Sequence, residues 1–311
     1  MRALRLAGVG LLSLIAYFFL AQRPYAMTVL AKATGNGNGC PWNKLLASPW
    51  DNERLGKLRA EARAQIKPLA EDFTVGIRQF STSGRPFWLR DGGKDMSAER
   101  LLEFVLAEQA WLSEIAQEYT VKPGDVVMDV GAHVGTFGDD ALRRGASKVI
   151  MIEPDPMNVE CIRRNFAKEL AEGKVVLLAE GAWDTESTLE FNTGVANSGT
   201  GSFVVKEISG KTIAVRVRPI DAMLRDAGVT KLDFVKMDIE GAERHALAGA
   251  RQTLAKFKPR LMLDAYHLTD DDEVLPKLIT SIHPQYQQFC AVCAQSRHVD
   301  QRIAPYAIFF H

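Results

Sequence analysis

Two acidic residues flank a glycine-rich segment near the middle of the chain. Asp129 stands two residues before Gly131 in the segment DVGAHVG (129–135), and Glu153 follows Asp129 by 24 residues. Turns that hold a pyrophosphate use a G-x-G-x-x-G spacing, whereas three residues separate Gly131 from Gly135 here. An acid before the first glycine would repel a pyrophosphate but attract an amino group or a sulfonium. This segment therefore favours a cationic ligand.

Glu153 adds a second requirement on that ligand. A carboxylate at the end of the next strand suits a ribose, because its two oxygens accept hydrogen bonds from two hydroxyls. Asp129 and Glu153 together fit S-adenosylmethionine better than NAD, so an NAD-dependent dehydrogenase is the less favoured alternative. A purely structural glycine turn would leave both acids unexplained.

Four polar residues after later apolar runs are candidates for acid–base chemistry: Asp238, Glu240, Asp264 and His267. Imidazole accepts a proton near neutrality, so His267 is a candidate base, although a structural histidine is an equally good interpretation. Glu240 could act on a substrate or cap the helix that starts at Gly241. Asp238 and Asp264 could share a divalent ion, but we assign no metal at this point.

The elements that must position these residues alternate along the chain. Short apolar runs without polar alternation predict buried parallel strands at 126–130, 149–153, 175–179, 234–238 and 261–265. Helical patterns lie between or after them, at 136–145, 156–171, 241–257 and 270–282. Alternating strands at 188–192 and 212–218, with a loop at 197–202, predict an antiparallel hairpin inserted after the third strand. The pattern is typical of a doubly wound α/β sheet.

The ordered motifs resemble the FkbM-type family of class I S-adenosylmethionine-dependent methyltransferases. The resemblance covers roughly 125–290, and its most specific block is KMDIEGAE (236–243). The other matching segments are VVMDVGAHVGTFG (126–138), VIMIEPDP (149–156), AEGAWD (179–184) and LMLDAYH (261–267).

The resemblance implies a fold, a cofactor and a reaction. The fold would be a mostly parallel seven-stranded Rossmann-like methyltransferase sheet, doubly wound, with the inserted β-hairpin. The reaction would be O-methylation, by S-adenosyl-L-methionine, of a hydroxyl on a saccharide, a glycolipid or a related natural product. The catalytic candidates would be Asp238, Glu240 and His267. The cofactor site would comprise Asp129, Gly131, Ala132, His133, Gly135, Glu153, Pro154, Glu180, Gly181 and Ala182.

Charge divides the chain into a basic leader and an acidic body. The whole chain has 38 Lys plus Arg and 38 Asp plus Glu, a net charge of zero that argues against a nucleic-acid partner. Residues 1–95 carry a net charge of +7 and residues 96–311 a net charge of −7. A body rich in carboxylates suits a cationic sulfonium cofactor, and a small-molecule or glycan acceptor is the expected partner.

An uncharged run at 6–22 predicts a single-pass N-terminal membrane anchor, with the side of the catalytic domain open. A cleaved signal peptide and a mis-assigned start are the alternatives. A basic amphipathic helix at 51–67 could lie on a membrane surface or pack on the body.

We therefore divide the chain into an anchor or signal segment (1–33), a linker with a basic extension (34–95) and a methyltransferase domain (96–311). The alternative function is a catalytically inactive methyltransferase fold that serves as a membrane adaptor. Four cysteines do not make a disulfide scaffold, so Cys290 and Cys293 are expected to be small core residues near a late strand.

Overall fold

The computed structural model describes residues 32–35, 39–90, 96–193, 198–204, 211–295 and 303–311. The first elements are the helix α1 (Trp42–Gln65), the antiparallel strands β1 (Pro68–Asp72), β2 (Ile77–Phe80) and β3 (Phe87–Arg90), and the helix α2 (Ala98–Ile115). The hydroxyl of Ser97 caps α2 by accepting a hydrogen bond from the backbone N–H of Arg100.

The basic helix α1 packs on the body through ion pairs with α2. Arg59 and Arg63 place their Nε atoms 2.9 and 2.7 Å from the carboxylate oxygens of Glu103, whose side chain is only 2% exposed. Leu58, on the same helix, is buried in the main core. The interpretation of this helix as packed on the body is therefore confirmed.

The prediction of a single-pass N-terminal membrane anchor is contradicted. Within the part of the chain that the structure describes, no helix is both long and apolar enough to cross a bilayer. The longest, α1, has 24 residues but carries charges along its length, including the Arg54, Arg59 and Arg63 guanidinium groups. The apolar run at 6–22, on which the prediction depended, lies outside the described residues.

The remaining strands form the central sheet and a smaller one. They are β4 (Val126–Val130), β5 (Lys148–Ile152), β6 (Val175–Leu178), β7 (Gly181–Ala182), β8 (Ser187–Thr193), β9 (Lys211–Arg218), β10 (Phe234–Met237), β11 (Arg260–Asp264), β12 (Gln288–Gln295) and β13 (Ile303–Phe310). The helices that follow α2 are α3 (Thr136–Arg143), α4 (Pro156–Asn165), α5 (Ala167–Ala171), α6 (Ile220–Asp226), α7 (Glu243–Ala248), α8 (Arg251–Phe257) and α9 (Asp271–Ile282).

The central sheet has seven strands in the order β12-β13-β11-β10-β4-β5-β6. Strands β11, β10, β4, β5 and β6 are parallel, and β12 and β13 run antiparallel to their neighbours. Buried apolar residues form one core on each face of the sheet, which explains why the strand sequences are continuously apolar. The predicted doubly wound, Rossmann-like fold is confirmed.

The strand order reverses direction between β4 and β10. From β4 the chain proceeds outward through β5 and β6, whereas β10 and β11 lie on the other side of β4. In open α/β sheets of this kind, ligands bind outside the carboxyl ends of the strands at the reversal point. The acids at the carboxyl ends of β4, β5, β10 and β11 therefore lie around one crevice.

The inserted hairpin is also present. Strands β8 and β9 pair antiparallel over seven residue pairs, from Ser187–Val217 to Thr193–Lys211, and β7 joins β9 in parallel. The backbone of Ser202 pairs with that of Asn192, which directs the segment 198–204 back toward the central sheet. This segment becomes one wall of the crevice described below.

The interpretation of Cys290 and Cys293 as ordinary core residues holds for Cys290 but is wrong for Cys293. Cys293, on β12, forms a disulfide with Cys40, which immediately precedes α1. Cys290 and Cys161 are free and buried. The bond joins positions 253 residues apart, so the segment before α1 is covalently fixed to an outer strand of the central sheet.

Candidate active site

The loop after β4 lies so close to neighbouring atoms that two of its positions have no room for a side chain. Gly131 has φ +80°, and a Cβ at this position would lie 2.0 Å from the carbonyl oxygen of Asp238. Gly135 has φ +89°, and its Cβ would lie 2.3 Å from the ring of Phe166. Glycine is therefore required at both positions, and the loop is held against the end of β10.

Asp129, the last residue but one of β4, is fully buried beneath this loop. The Nζ atom of Lys236 lies 3.6 Å from its Oδ1 atom, and among the described residues neither oxygen has a hydrogen-bond partner at normal distance. Burial raises the pKa of the Asp129 carboxyl to about 6, against the opposing effect of Lys236. Asp129 itself does not line the cavity, whereas Gly131 and Lys236 do.

Glu153, directly after β5, does line the cavity. Its carboxylate accepts hydrogen bonds from the backbone N–H of His133 at 2.7 Å, the N–H of Asp155 at 2.9 Å and the side-chain amide of Asn158 at 3.3 Å. Burial nevertheless raises the pKa of Glu153 to about 8. The three donors fix the orientation of the carboxylate at the edge of the cavity.

His133 connects the loop after β4 to the inserted segment. It adopts a left-handed backbone with φ +53°, which is unusual for a residue other than glycine. Its Nε2 atom lies 2.7 Å from the hydroxyl of Ser198, and burial lowers the pKa of the imidazole to about 3. The side-chain amide of Asn158 also donates to the carbonyl of Ser198, at 3.2 Å. Part of the predicted 197–202 loop thus covers the side of the crevice formed by the ends of β4 and β5, while Asn197 is outside the described residues.

These residues surround a cavity of about 740 Å³. That volume is within the range of small-molecule and cofactor sites. Of the predicted site residues, those that line it are Gly131, Ala132, His133, Glu153, Pro154, Gly181, Ala182, Asp238 and Glu240.

Glu180 is not brought to this cavity. Its carboxylate lies 3.7 Å from the guanidinium of Arg218 and 3.8 Å from that of Arg216, both on β9. Its position directly before β7 directs the side chain toward the hairpin, whereas Gly181 and Ala182 continue along the cavity wall.

Asp238, Glu240 and His267 meet at the opposite side of the cavity. The Nε2 atom of His267 lies 3.5 Å from Oδ1 of Asp238 and 3.6 Å from Oε2 of Glu240. Asp238 and Glu240 line the cavity, but His267 is 2% exposed and lies behind the two carboxylates. Burial opposes the charge of His267, yet Glu243, Glu240 and Asp238 together raise the pKa of the imidazole well above its usual range.

Lys236 and Asp264 complete the buried charge network around Asp238. Burial works against the ammonium of Lys236, but Asp129 and Asp238 outweigh that effect and raise its pKa. The carboxyl groups of Asp238 and Asp264 share a hydrogen bond. Burial, together with the Asp238 charge, raises the pKa of Asp264 well above its usual range, so Asp264 is the protonated partner. Lys236 is thus an ion-pair partner of Asp129 and Asp238.

Two cavity residues were not predicted from the sequence. Glu108, on α2, accepts a hydrogen bond from the phenol of Tyr306, on β13, and both line the cavity. Burial, followed by the charge of Asp238, raises the pKa of Glu108 to about 8. Glu108 falls on the apolar stripe of α2 that includes Val105 and Leu112, and a carboxylate within such a stripe was the available signal.

The sequence of the chain matches a known protein family. The family model described as the methyltransferase FkbM domain matches residues 129–292. A hexuronic acid methyltransferase, AglP, of Haloferax volcanii is 26% identical over 213 residues, covering 66% of this chain and 74% of that protein. A 2-O-methyltransferase, NoeI, of Sinorhizobium fredii is 25% identical over 154 residues, covering 43% of this chain and 61% of that protein.

Among solved structures, the chain is similar to the methyltransferase FkbM from Methylobacillus flagellatus KT. The two share 19% sequence identity with a TM-score of 0.46. The match covers 84% of this chain and 59% of that one.

Proposed function

The chain belongs to the FkbM methyltransferase family, and we propose that it methylates a hydroxyl group of an uncharged saccharide with S-adenosyl-L-methionine as donor. The observation that carries the proposal is that Glu153 and the carboxylate pair Asp238 and Glu240 face one cavity from opposite sides. One side suits the ribose of the donor, and the other suits the hydroxyl of the acceptor.

The residues around β4 and β5 fit the donor. Glu153 is oriented to accept hydrogen bonds from a ribose diol, and the glycines of the β4 loop leave room for close approach of the ligand. Gly181 and Ala182 would border the base, and the buried carboxylate of Asp129 favours a positive charge above it. When bound, S-adenosylmethionine supplies an electrophilic methyl group, whose bond to sulfur breaks as the acceptor oxygen attacks, so that the electron pair remains on a neutral thioether.

The chain must then remove a proton from the acceptor. Burial raises the pKa of Asp238, but Lys236 and His267 outweigh it and keep that pKa below its usual value. Its carboxylate is therefore ionised near neutral pH. We assign the carboxylate pair of Asp238 and Glu240 to accept the hydroxyl hydrogen and to receive the proton as the oxygen–methyl bond forms. His267, behind the pair, is a positioning residue.

The charge of the cavity favours a neutral acceptor. Asp238, whose carboxylate is ionised, lines it beside Glu240, and no arginine does among the described residues. The one lysine of that lining, Lys236, is already placed 3.6 and 3.7 Å from Asp129 and Asp238. A uronic acid would therefore bring its carboxylate beside the ionised Asp238, and the described lining has no arginine or unpaired lysine to balance that charge.

The aromatic residues beside the carboxylates support a sugar. Tyr266 and Tyr306 stack at 4.8 Å, and Trp111 meets Tyr306 edge-on at 5.7 Å. Aromatic faces pack against the apolar face of a pyranose, while Glu108 and the phenol of Tyr306 provide hydrogen-bonding groups for its hydroxyls.

The experiment has two parts. Calorimetry on the full chain measures the binding of S-adenosylmethionine. Saccharide extracts are then incubated with the protein and S-adenosylmethionine, and mass spectrometry detects the gain of one methyl ether. Binding with a new O-methyl ether supports the proposal. Binding without transfer to any extract would support the alternative of an inactive methyltransferase fold, and absence of binding would reject the proposed activity and leave that alternative.

A further inference from the structure

Three side chains from two strand ends meet in the geometry of a metal-ligand set. Asp238 and Glu240 follow β10, and His267 follows β11. One ligand atom from each residue lies within 4.8 Å of the other two. Two carboxylates and an imidazole form a mixed oxygen and nitrogen set that suits divalent first-row cations such as Mn²⁺.

The ring of His267 is oriented as a metal ligand is. Its Nδ1 atom lies 3.1 Å from Oε1 of Glu243, which is fully buried, and this contact turns Nε2 toward Asp238 and Glu240. The same Glu243 oxygen accepts the backbone N–H of Ile239 at 2.9 Å, so its position is fixed independently of the histidine. A carboxylate that holds the far nitrogen of a histidine is the usual support for a histidine that binds a metal.

Asp264 provides a separate observation. It is 3% exposed, and its carboxyl contacts that of Asp238 from the neighbouring strand. Its Oδ1 atom has no hydrogen-bond partner within the described part of the chain. A buried carboxyl beside the ligand set that keeps an unsatisfied oxygen leaves a place for a cation or for a water molecule bound to one.

The backbone of Glu240 shows how the set is held. Glu240 has φ +53°, a left-handed conformation that costs energy for a residue with a side chain. The hydroxyl of Ser202 donates to its carbonyl at 2.7 Å and thereby ties the turn to the inserted segment. An ordinary turn would use glycine at this position, as Gly241 does next to it with φ +96°.

From these contacts we infer that Asp238, Glu240 and His267 bind a divalent cation. The cation would occupy the space between Oδ1 of Asp238, Oε2 of Glu240 and Nε2 of His267, in place of a proton on that nitrogen. The inference that the cation binds depends on the geometry alone. Its catalytic use rests on the proposed function: the acceptor hydroxyl would become a further ligand, and its proton would then pass more readily to the carboxylate pair.

The test uses Mn²⁺ alone with the full chain, freed of metal by dialysis against chelator. Electron paramagnetic resonance measures the bound ion, and the pulsed experiment detects coupling to the imidazole nitrogen of His267. We expect one bound Mn²⁺ with nitrogen coupling. Glu240→Gln and His267→Gln should weaken binding, and Glu243→Gln should weaken it by roughly tenfold to 100-fold through the histidine orientation. Glu190→Gln, an exposed acid on β8, is the matched control and should bind as the wild type does.

Circular dichroism checks the fold of each variant, and Glu240→Gln, at the cavity surface, replaces His267→Gln if the buried substitution does not fold. No bound Mn²⁺ at millimolar concentration, or binding that is unchanged in a folded Glu240→Gln variant, would overturn the inference. S-adenosylmethionine binding is measured in the same samples. If the protein bound S-adenosylmethionine and transferred methyl groups fully in chelator but did not bind Mn²⁺, the inferred metal site would be rejected and the proposed function would stand.

Discussion

The ammonium of Lys236 lies 3.6 Å from the carboxylate of Asp129 and joins the adjacent strands β10 and β4 at the point where the sheet order reverses. Lys236 also donates to the carbonyl of Gly131 at 3.1 Å and lies 3.7 Å from Asp238. One largely buried cation thus connects the loop after β4 to Asp238.

Replacing Lys236 by methionine should strongly destabilise the fold. The substitution preserves the length of the side chain but leaves Asp129 buried without a cation, and loss of one partner of a buried pair costs about 3–5 kcal/mol. Denaturant unfolding at neutral pH measures the loss. Lys231→Met is the matched control, because that exposed lysine pairs with Asp233 at the surface and should change stability by less than about 1 kcal/mol. Equal effects of the two substitutions would contradict this role of Lys236.

Stability of the donor-free protein should fall with rising pH through the titration of Glu153. Burial raises the pKa of this carboxyl from 4.5 to about 8, so the fold favours its protonated form. The resulting stabilisation is complete below the ordinary pKa and is lost as the pH rises through about 8. The unfolding free energy of the wild type, compared with that of Glu153→Gln, should decline across this window by up to about 1.4 kcal/mol per pH unit. If the difference in unfolding free energy between the wild type and Glu153→Gln did not change with pH, Glu153 would be ionised in the folded protein across the whole window, and the prediction would be wrong.

The affinity for S-adenosylmethionine should depend on Glu153 but not on Glu180, although the sequence predicts both as cofactor-binding residues. Above its pKa of about 8, Glu153 is a charged acceptor for the ribose hydroxyls. Such hydrogen bonds contribute about 1.5–3 kcal/mol, so at that pH Glu153→Gln should lower the affinity by roughly tenfold to 150-fold. Glu180→Gln should leave the affinity unchanged, because Glu180 pairs with Arg218 outside the cavity. Calorimetry with S-adenosylmethionine measures both, and a larger loss for Glu180→Gln than for Glu153→Gln would reverse the assignment.

Reduction of the Cys40–Cys293 disulfide should destabilise the protein. The bond spans 253 residues, and removing a native disulfide typically costs about 2–5 kcal/mol. A reductant should lower the Tm of the wild type to that of Cys40→Ser. The same reductant should not shift the Tm of Cys40→Ser itself, and a shift there would mean that another effect of the reductant is responsible.

The elements with local signals were predictable from the sequence. Each central strand is a short apolar run between helical patterns, and Glu153 and Asp238 could be placed at strand ends because the strands themselves could be found. The inserted hairpin was visible for the same reason, through its alternating pattern. In such cases the residue types along one short segment determine the structure.

Contacts between distant segments were not predictable. Cys40 and Cys293, or Glu108 and Tyr306, meet only when α1 and α2 pack near the outer strands β12 and β13. The side chain of Glu180 follows the direction that β7 takes toward β9, which no local pattern specifies. These positions depend on tertiary packing and on the pairing of strands far apart in the chain.

The most direct test of the proposed activity follows a labelled methyl group from S-adenosylmethionine into fractionated saccharides. Neutral and uronic oligosaccharide pools are incubated separately with the wild type and with the double variant Asp238→Asn, Glu240→Gln. We predict label in O-methyl ethers of the neutral pool, reduced by roughly 100-fold or more in the double variant because the proton acceptors are lost. Label confined to the uronic pool, or transfer that is unchanged in the double variant, would contradict the account.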